Sequence, residues 1–201
     1  GAGAGSTAGA RECVPCSAGE FTDAPGQDSC TSASAGSAVE ASGSANQTKC
    51  VPGTFSAGAG ATACTPCSAG SFQAEGGQTS CLLASGGYFV GLDGASEEEP
   101  CGAGNYSTAG ASQCVPCPAG EFTDKPGQDS CTSASAGSAV EASGSANQTA
   151  CVPGTYSAGA GATTCAACSA GSFQPESGQT SCVLSSGGHF VSFEGASEEQ
   201  P

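Results

Sequence analysis

The chain has 201 residues, of which 33 are Gly, 15 are Cys and 47 are Ser or Thr, with no Met and no Trp. So few large apolar residues cannot build one large core, and the cysteine density instead marks a disulfide scaffold and a compartment outside the reducing cytosol. The net charge of −15, from 18 acidic and 3 basic residues, argues against nucleic acid and anionic membrane surfaces as partners, since both are held by Lys and Arg.

In chain order, the first fifteen residues hold a single cysteine, Cys13. From Cys16 onward the chain follows a 17-residue unit, C-x-x-G-x-[FY]-x-x-x-x-G-x-x-x-C-x-x. Units begin at 16, 33, 50, 67, 84 and 101 and, after a one-residue deletion, at 117, 134, 151, 168 and 185. Six units carry both cysteines, fourteen apart; the shortened unit at 101 carries Cys101 and Cys114. The units at Ala33, Ala84, Ala134 and Ser185 carry neither, and Gln47, Glu98, Gln148 and Glu199 stand at their closing positions.

Within a unit, the Gly three residues after the first cysteine (Gly53 in the unit at 50) suits positive φ or a close backbone approach. The second Gly sits mid-loop, as in Pro25-Gly26 and Pro126-Gly127, and reads as a hairpin turn. The aromatic (Phe21, Phe55, Phe72, Phe89, Tyr106, Phe122, Tyr156, Phe173, Phe190) is expected to cover its own disulfide and the neighbouring unit, since small repeats need a local core. Each unit is therefore expected to be a short strand, a turn, a short returning strand and a staple. Residues 31–48 and 132–149 are Ala-rich, but Ser and Gly interrupt any helical face. The predicted fold is a small disulfide-rich, mostly β or irregular chain: an elongated tandem array of hairpin-like units with one disulfide per complete unit.

Loss of both cysteines together is what a bridge inside each unit predicts. The expected pairs are Cys16–Cys30, Cys50–Cys64, Cys67–Cys81, Cys101–Cys114, Cys117–Cys131, Cys151–Cys165 and Cys168–Cys182. A crossed pattern within blocks of four cysteines also leaves no orphan, and four cysteines allow three connectivities. The Cys-x-x-Cys pairs, such as Cys64-Thr-Pro-Cys67, have zinc-ligand spacing. A zinc reading leaves Cys30, Cys50 and Cys81 unexplained, and no metal or other cofactor is expected.

A longer period overlies the first. Residues 17–100 and 118–201 align without gaps and differ at 16 of 84 positions. This divides the chain into two large repeats, 1–100 and 101–201. Their ends are in register, so the chain reads as an excerpt of a longer array. Cys13 is then unpaired within this segment because its partner precedes Gly1. No signal peptide, lipidation signal or membrane-spanning run is visible, and no membrane insertion of this segment is expected.

No catalytic set is apparent. The single histidine, His189, stands where the first repeat has Tyr88, and the Gly-rich stretches lack the Lys and the strand–helix setting of a phosphate loop. The runs Glu97-Glu98-Glu99 and Glu198-Glu199 lack the alternating oxygen ligands of a calcium loop. The chain is not expected to be an enzyme.

The segment Cys50-Val-Pro-Gly-Thr-Phe-Ser-Ala-Gly-Ala-Gly-Ala-Thr-Ala-Cys64-Thr-Pro-Cys67 resembles the ephrin-receptor-like cysteine-rich repeat, a relative of the modules in tumour-necrosis-factor-receptor ectodomains. The resemblance runs over nearly the whole chain and implies an extracellular or cell-surface location. Such arrays occur in large surface proteins of algae and other protists, including the glycosylated filaments of flagellar hairs (mastigonemes). Three sequons, at Asn46, Asn105 and Asn147, add expected glycans. The expected function is a structural segment of a secreted, glycosylated filament or surface coat, with further copies of itself as partners. The alternative is the stalk of a receptor or adhesin whose binding head lies elsewhere.

Overall fold

A computed structural model describes residues 2–7 and 12–201. Among these residues there is no helix; twenty-two two-residue strands form eleven antiparallel pairs. Each pair closes one 17-residue turn. In the turn beginning at Cys50, Thr54 faces Pro66 and Phe55 faces Thr65; in its counterpart, Thr155 faces Ala167 and Tyr156 faces Ala166. The Ala-rich stretches follow the same plan: Ser37 faces Lys49 and Ser138 faces Ala150. Positions in a turn are numbered below from its first cysteine or that residue's replacement.

The chain divides into two compact units. The first comprises Gly1–Ser85, Phe89–Glu99 and Ala109–Gln113; the second comprises Gly86–Tyr88, Pro100–Thr108 and Cys114–Pro201. Within each, backbone hydrogen bonds join every turn to the next. In the first unit, the Gly53 N–H donates to the Gln73 carbonyl (2.7 Å), Ser56 to Gln78 (3.1 Å) and Gly77 back to Cys50 (2.7 Å). In the second, Gly154 donates to Gln174 (2.7 Å), Ser157 to Gln179 (3.1 Å) and Gly178 to Cys151 (2.8 Å). Two-residue strands are too short to stand alone, and this ladder is what the turns rest on. Neither unit is a string of independent beads.

Contacts also reach past the nearest neighbour, further than a nearest-neighbour repeat requires. Gly53 has φ of +83°, and a Cβ built there would overlap the carbonyl oxygen of Gly94, two turns on. Gly154 (φ +85°) meets Gly195 in the same way. The position therefore requires glycine twice over, for its dihedral and for its neighbour. Gly60 is different: its φ is +79°, but the nearest atom to an added Cβ is Cβ of Ser32 at 4.0 Å. Only the turn conformation requires glycine there.

Eight of the aromatics are half-buried, and Phe190 is 52 % exposed. The side chains wholly removed from solvent are small. The first cysteine of each stapled turn is at most 1 % exposed, and so are Ala33, Ala84 and Ala134 where the cysteine is missing.

Candidate functional surface: two ways of closing a turn

Seven disulfides close the complete turns: Cys16–Cys30, Cys50–Cys64, Cys67–Cys81, Cys101–Cys114, Cys117–Cys131, Cys151–Cys165 and Cys168–Cys182. Their Cα–Cα distances lie between 5.5 and 5.8 Å, in the ordinary range for a bridge. Strand pairing causes this. With positions 5–6 held against 16–17, positions 1 and 15 face each other across the mouth of the hairpin. A bridge closing about fifteen residues contributes about 3 kcal/mol. All four Cys-x-x-Cys segments lie at the seams between successive turns, and seven of their eight thiols, all but Cys13, are in disulfides to other positions. Cys13 is exposed and has no disulfide partner among the described residues.

Turns without cysteines are closed by a different set of atoms. In the turn at Ala33, the side-chain oxygen of Gln47 accepts the Ser34 backbone N–H at 2.6 Å, and the Gln47 amide donates to the Ser34 hydroxyl at 3.3 Å. Gln148 and Ser135 repeat this at 2.6 and 3.3 Å. Glu98 accepts the Ser85 N–H and Glu199 the Ser186 N–H, both at 2.6 Å. A side chain from position 15 thus reaches across the mouth to position 2, where a disulfide would otherwise reach position 1.

A second substitution accompanies the first. Position 7 is Thr22, Ser56, Gln73, Ser107, Thr123, Ser157 or Gln174 in every stapled turn, and Val39, Val90, Val140 or Val191 in every turn without cysteines. The valines are 2–6 % exposed. The polar residues are equally buried and each is hydrogen-bonded: Ser56 donates to the Gly58 carbonyl at 3.2 Å, and Gln73 donates to the Ser80 carbonyl at 2.8 Å. Among the described residues no buried side-chain polar atom lacks a partner. Burying a valine contributes about 2 kcal/mol and the clamp about 1 kcal/mol. A stapled turn has instead its bridge, about 3 kcal/mol, and a buried, hydrogen-bonded polar side chain.

The clamps differ in their response to acid. Glu199 is held below its ordinary carboxylate pKa chiefly by the hydrogen bond from the Ser186 backbone; desolvation opposes this, and the Ser186 hydroxyl and the His189 charge add lesser lowering effects. A depressed folded-state pKa contributes stability that is present above the ordinary carboxylate range and lost as pH falls through the depressed value. Gln148 does not titrate. Acidification should therefore lower hydrogen-exchange protection of the Ser186 amide, corrected for intrinsic rate, and leave that of Ser135 unchanged. Equal loss at both would contradict a carboxylate-specific clamp.

No group of three or more His, Cys, Asp or Glu side chains converges as a metal site among the described residues. One groove in the second unit is lined by Ala139, Glu141, Thr149, Val152, Thr155 and Thr163 among others, with Glu141 its only titratable side chain. His189 is exposed. No described helix is long and apolar enough to cross a membrane.

Hairpins repeated every 17 residues, each complete one closed on itself by a disulfide, define a cysteine-rich module of the non-catalytic extracellular type. The family model described as "Tyrosine-protein kinase ephrin type A/B receptor-like" matches residues 53–101, 104–151 and 154–200, and the chain belongs to this ephrin-receptor-like repeat family. Comparison with curated proteins finds no match.

The sequons fall in two settings. Asn46 and Asn147 are exposed, in the loops of turns without cysteines. Asn105 lies half-buried in a strand, and the Ser107 hydroxyl of its sequon is 1 % exposed and donates to the Tyr88 carbonyl at 2.8 Å.

Proposed function

We propose that this chain is a structural segment of a secreted, glycosylated filament or surface coat, such as a flagellar hair, and that it acts mechanically. The observation that carries this reading is the maintenance of one hairpin geometry through successive turns, by covalent or non-covalent closure. Such a pattern preserves a regular support and not a site. Acidic groups keep the surface hydrated and hold neighbouring copies apart except at specific contacts. Glycans at Asn46 and Asn147 would extend that hydration. Further copies of the chain are its natural partners.

Imaging native material by negative stain tests this reading. Long regular filaments support it. Short stalks carrying globular heads would replace it with a receptor or adhesin stalk.

Glycan occupancy follows local structure. Asn46 and Asn147 should be occupied in the secreted protein. Asn105 should be occupied only where transfer precedes folding, because the folded turn hides the Ser107 hydroxyl. Enzymatic glycan release with the accompanying Asn-to-Asp mass shift reads all three. Occupancy at Asn105 equal to that at Asn46 would show that transfer does not sense the fold.

A further inference from the structure

We propose that the turns without cysteines are mechanical yield points: reserves of length that open and reseal under tension while the stapled turns between them stay shut. This rests on reading the segment as load-bearing.

Tension takes different paths through the two kinds of turn. Load entering a stapled turn at Cys50 crosses the bridge to Cys64 and leaves. The thirteen residues inside that loop carry none of it. Between Cys64 and Cys67 only Thr65 and Pro66 lie on the path. Adjacent stapled turns therefore have almost no chain to release, however completely their hydrogen bonds fail.

Between Cys30 and Cys50 the path is different. Residues 31–49 include a whole turn that no covalent bond bypasses. The same holds for residues 82–100, between Cys81 and Cys101, and for 132–150, between Cys131 and Cys151. Each span is 19 residues, about 65 Å when extended at roughly 3.4 Å per residue.

These spans are held, but by reversible interactions. The turn at Ala33 keeps its full backbone ladder: Gly36 donates to Ser56 (2.8 Å), Val39 to Ala61 (2.9 Å) and Gly43 to Cys16 (2.8 Å). The Gln47 clamp and buried Val39 complete it. The thermodynamic closure therefore resembles that of a stapled turn, whereas the mechanical closure does not. When such a turn opens no covalent bond breaks, and the adjacent stapled turns preserve the register against which it reseals.

Placement adds to this. The first two openable spans begin 51 residues apart, at 31 and 82, and the third 50 residues further, at 132. Compliance is thus distributed evenly along the chain.

Stretching the oxidised chain between peptide handles at its two termini tests the proposal, in a Cys13→Ser background that prevents cross-linking. The internal spans should give reversible releases of about 65 Å each without reductant. The variant Ala33→Cys/Gln47→Cys, once bridged, should lose about 48 Å of releasable length, because a fourteen-residue separation leaves the load path. A thiol assay confirms the new bridge, and Ala134→Cys/Gln148→Cys is the independent second case. Reductant should restore the lost length. An oxidised parent chain that releases nothing until reductant is added would overturn the proposal. So would a bridged variant that releases as much length as the parent. Either outcome leaves the filament reading standing, and imaging can sink that reading while the releases remain.

Discussion

Gly53→Ala is expected to destabilise the first unit by at least about 3 kcal/mol. A left-handed dihedral costs a residue with a Cβ about 1–2 kcal/mol, and here the new methyl would also overlap the Gly94 carbonyl oxygen, a backbone atom that cannot swing aside. One control separates these costs. Gly60→Ala incurs the dihedral cost alone, since its Cβ meets nothing closer than Ser32 at 4.0 Å. The midpoint of urea unfolding of the oxidised chain, with circular dichroism as the signal, ranks the two. If both fall together, the contact between second-neighbour turns contributes nothing.

Removing one staple is the second large effect, and its repair is the more informative half. Cys50→Ala/Cys64→Ala should cost about 3 kcal/mol, the closure entropy of its loop. Replacing that pair instead by Cys50→Ala/Cys64→Gln together with Ser56→Val gives this turn the residues that the turn at Ala33 has at positions 1, 15 and 7; position 2 is Val51, so the new Gln can clamp its backbone N–H as Gln47 clamps that of Ser34, without the hydroxyl contact. The clamp, about 1 kcal/mol, and the valine's burial, about 2 kcal/mol less the hydrogen bond Ser56 makes to Gly58, should recover part of the loss. Urea midpoints and hydrogen-exchange protection of the Gly53 and Gly77 amides measure it. A triple variant no more stable than the double would show that the valine and the glutamine are incidental to turns without cysteines.

The hairpin plan was legible in the residues because backbone demands leave strong marks. A glycine with positive φ is retained three residues after the first position of every turn from Cys16 onward, and Gly36 and Gly43 persist where the cysteines are gone. Strands of two residues leave almost no mark, but the spacing between Gly53 and Cys64 implies the return.

Other features were missed. The most buried positions are held by Cys, Ala, Val and hydrogen-bonded polar side chains, which the aromatic pattern does not display. Gln47, Glu98, Gln148 and Glu199 were visible as replacements at the closing position, but their partners are backbone N–H groups, which a side-chain pattern does not display. The overlooked signal was position 7. Val39, Val90, Val140 and Val191 occur there only where the cysteines are absent, and that correlation alone could have pointed to a compensated turn. The reach from Gly53 to Gly94 left no mark beyond the glycines themselves.

Closure of each complete turn on itself is the central claim, and disulfide mapping tests it most directly. Oxidised protein should be digested at low pH, where thiolate exchange is suppressed, and the linked peptides fragmented to resolve the Cys64-Thr-Pro-Cys67 seam. The structure predicts Cys50 joined to Cys64 and Cys67 joined to Cys81. Cys50 joined to Cys67 or to Cys81 would contradict it.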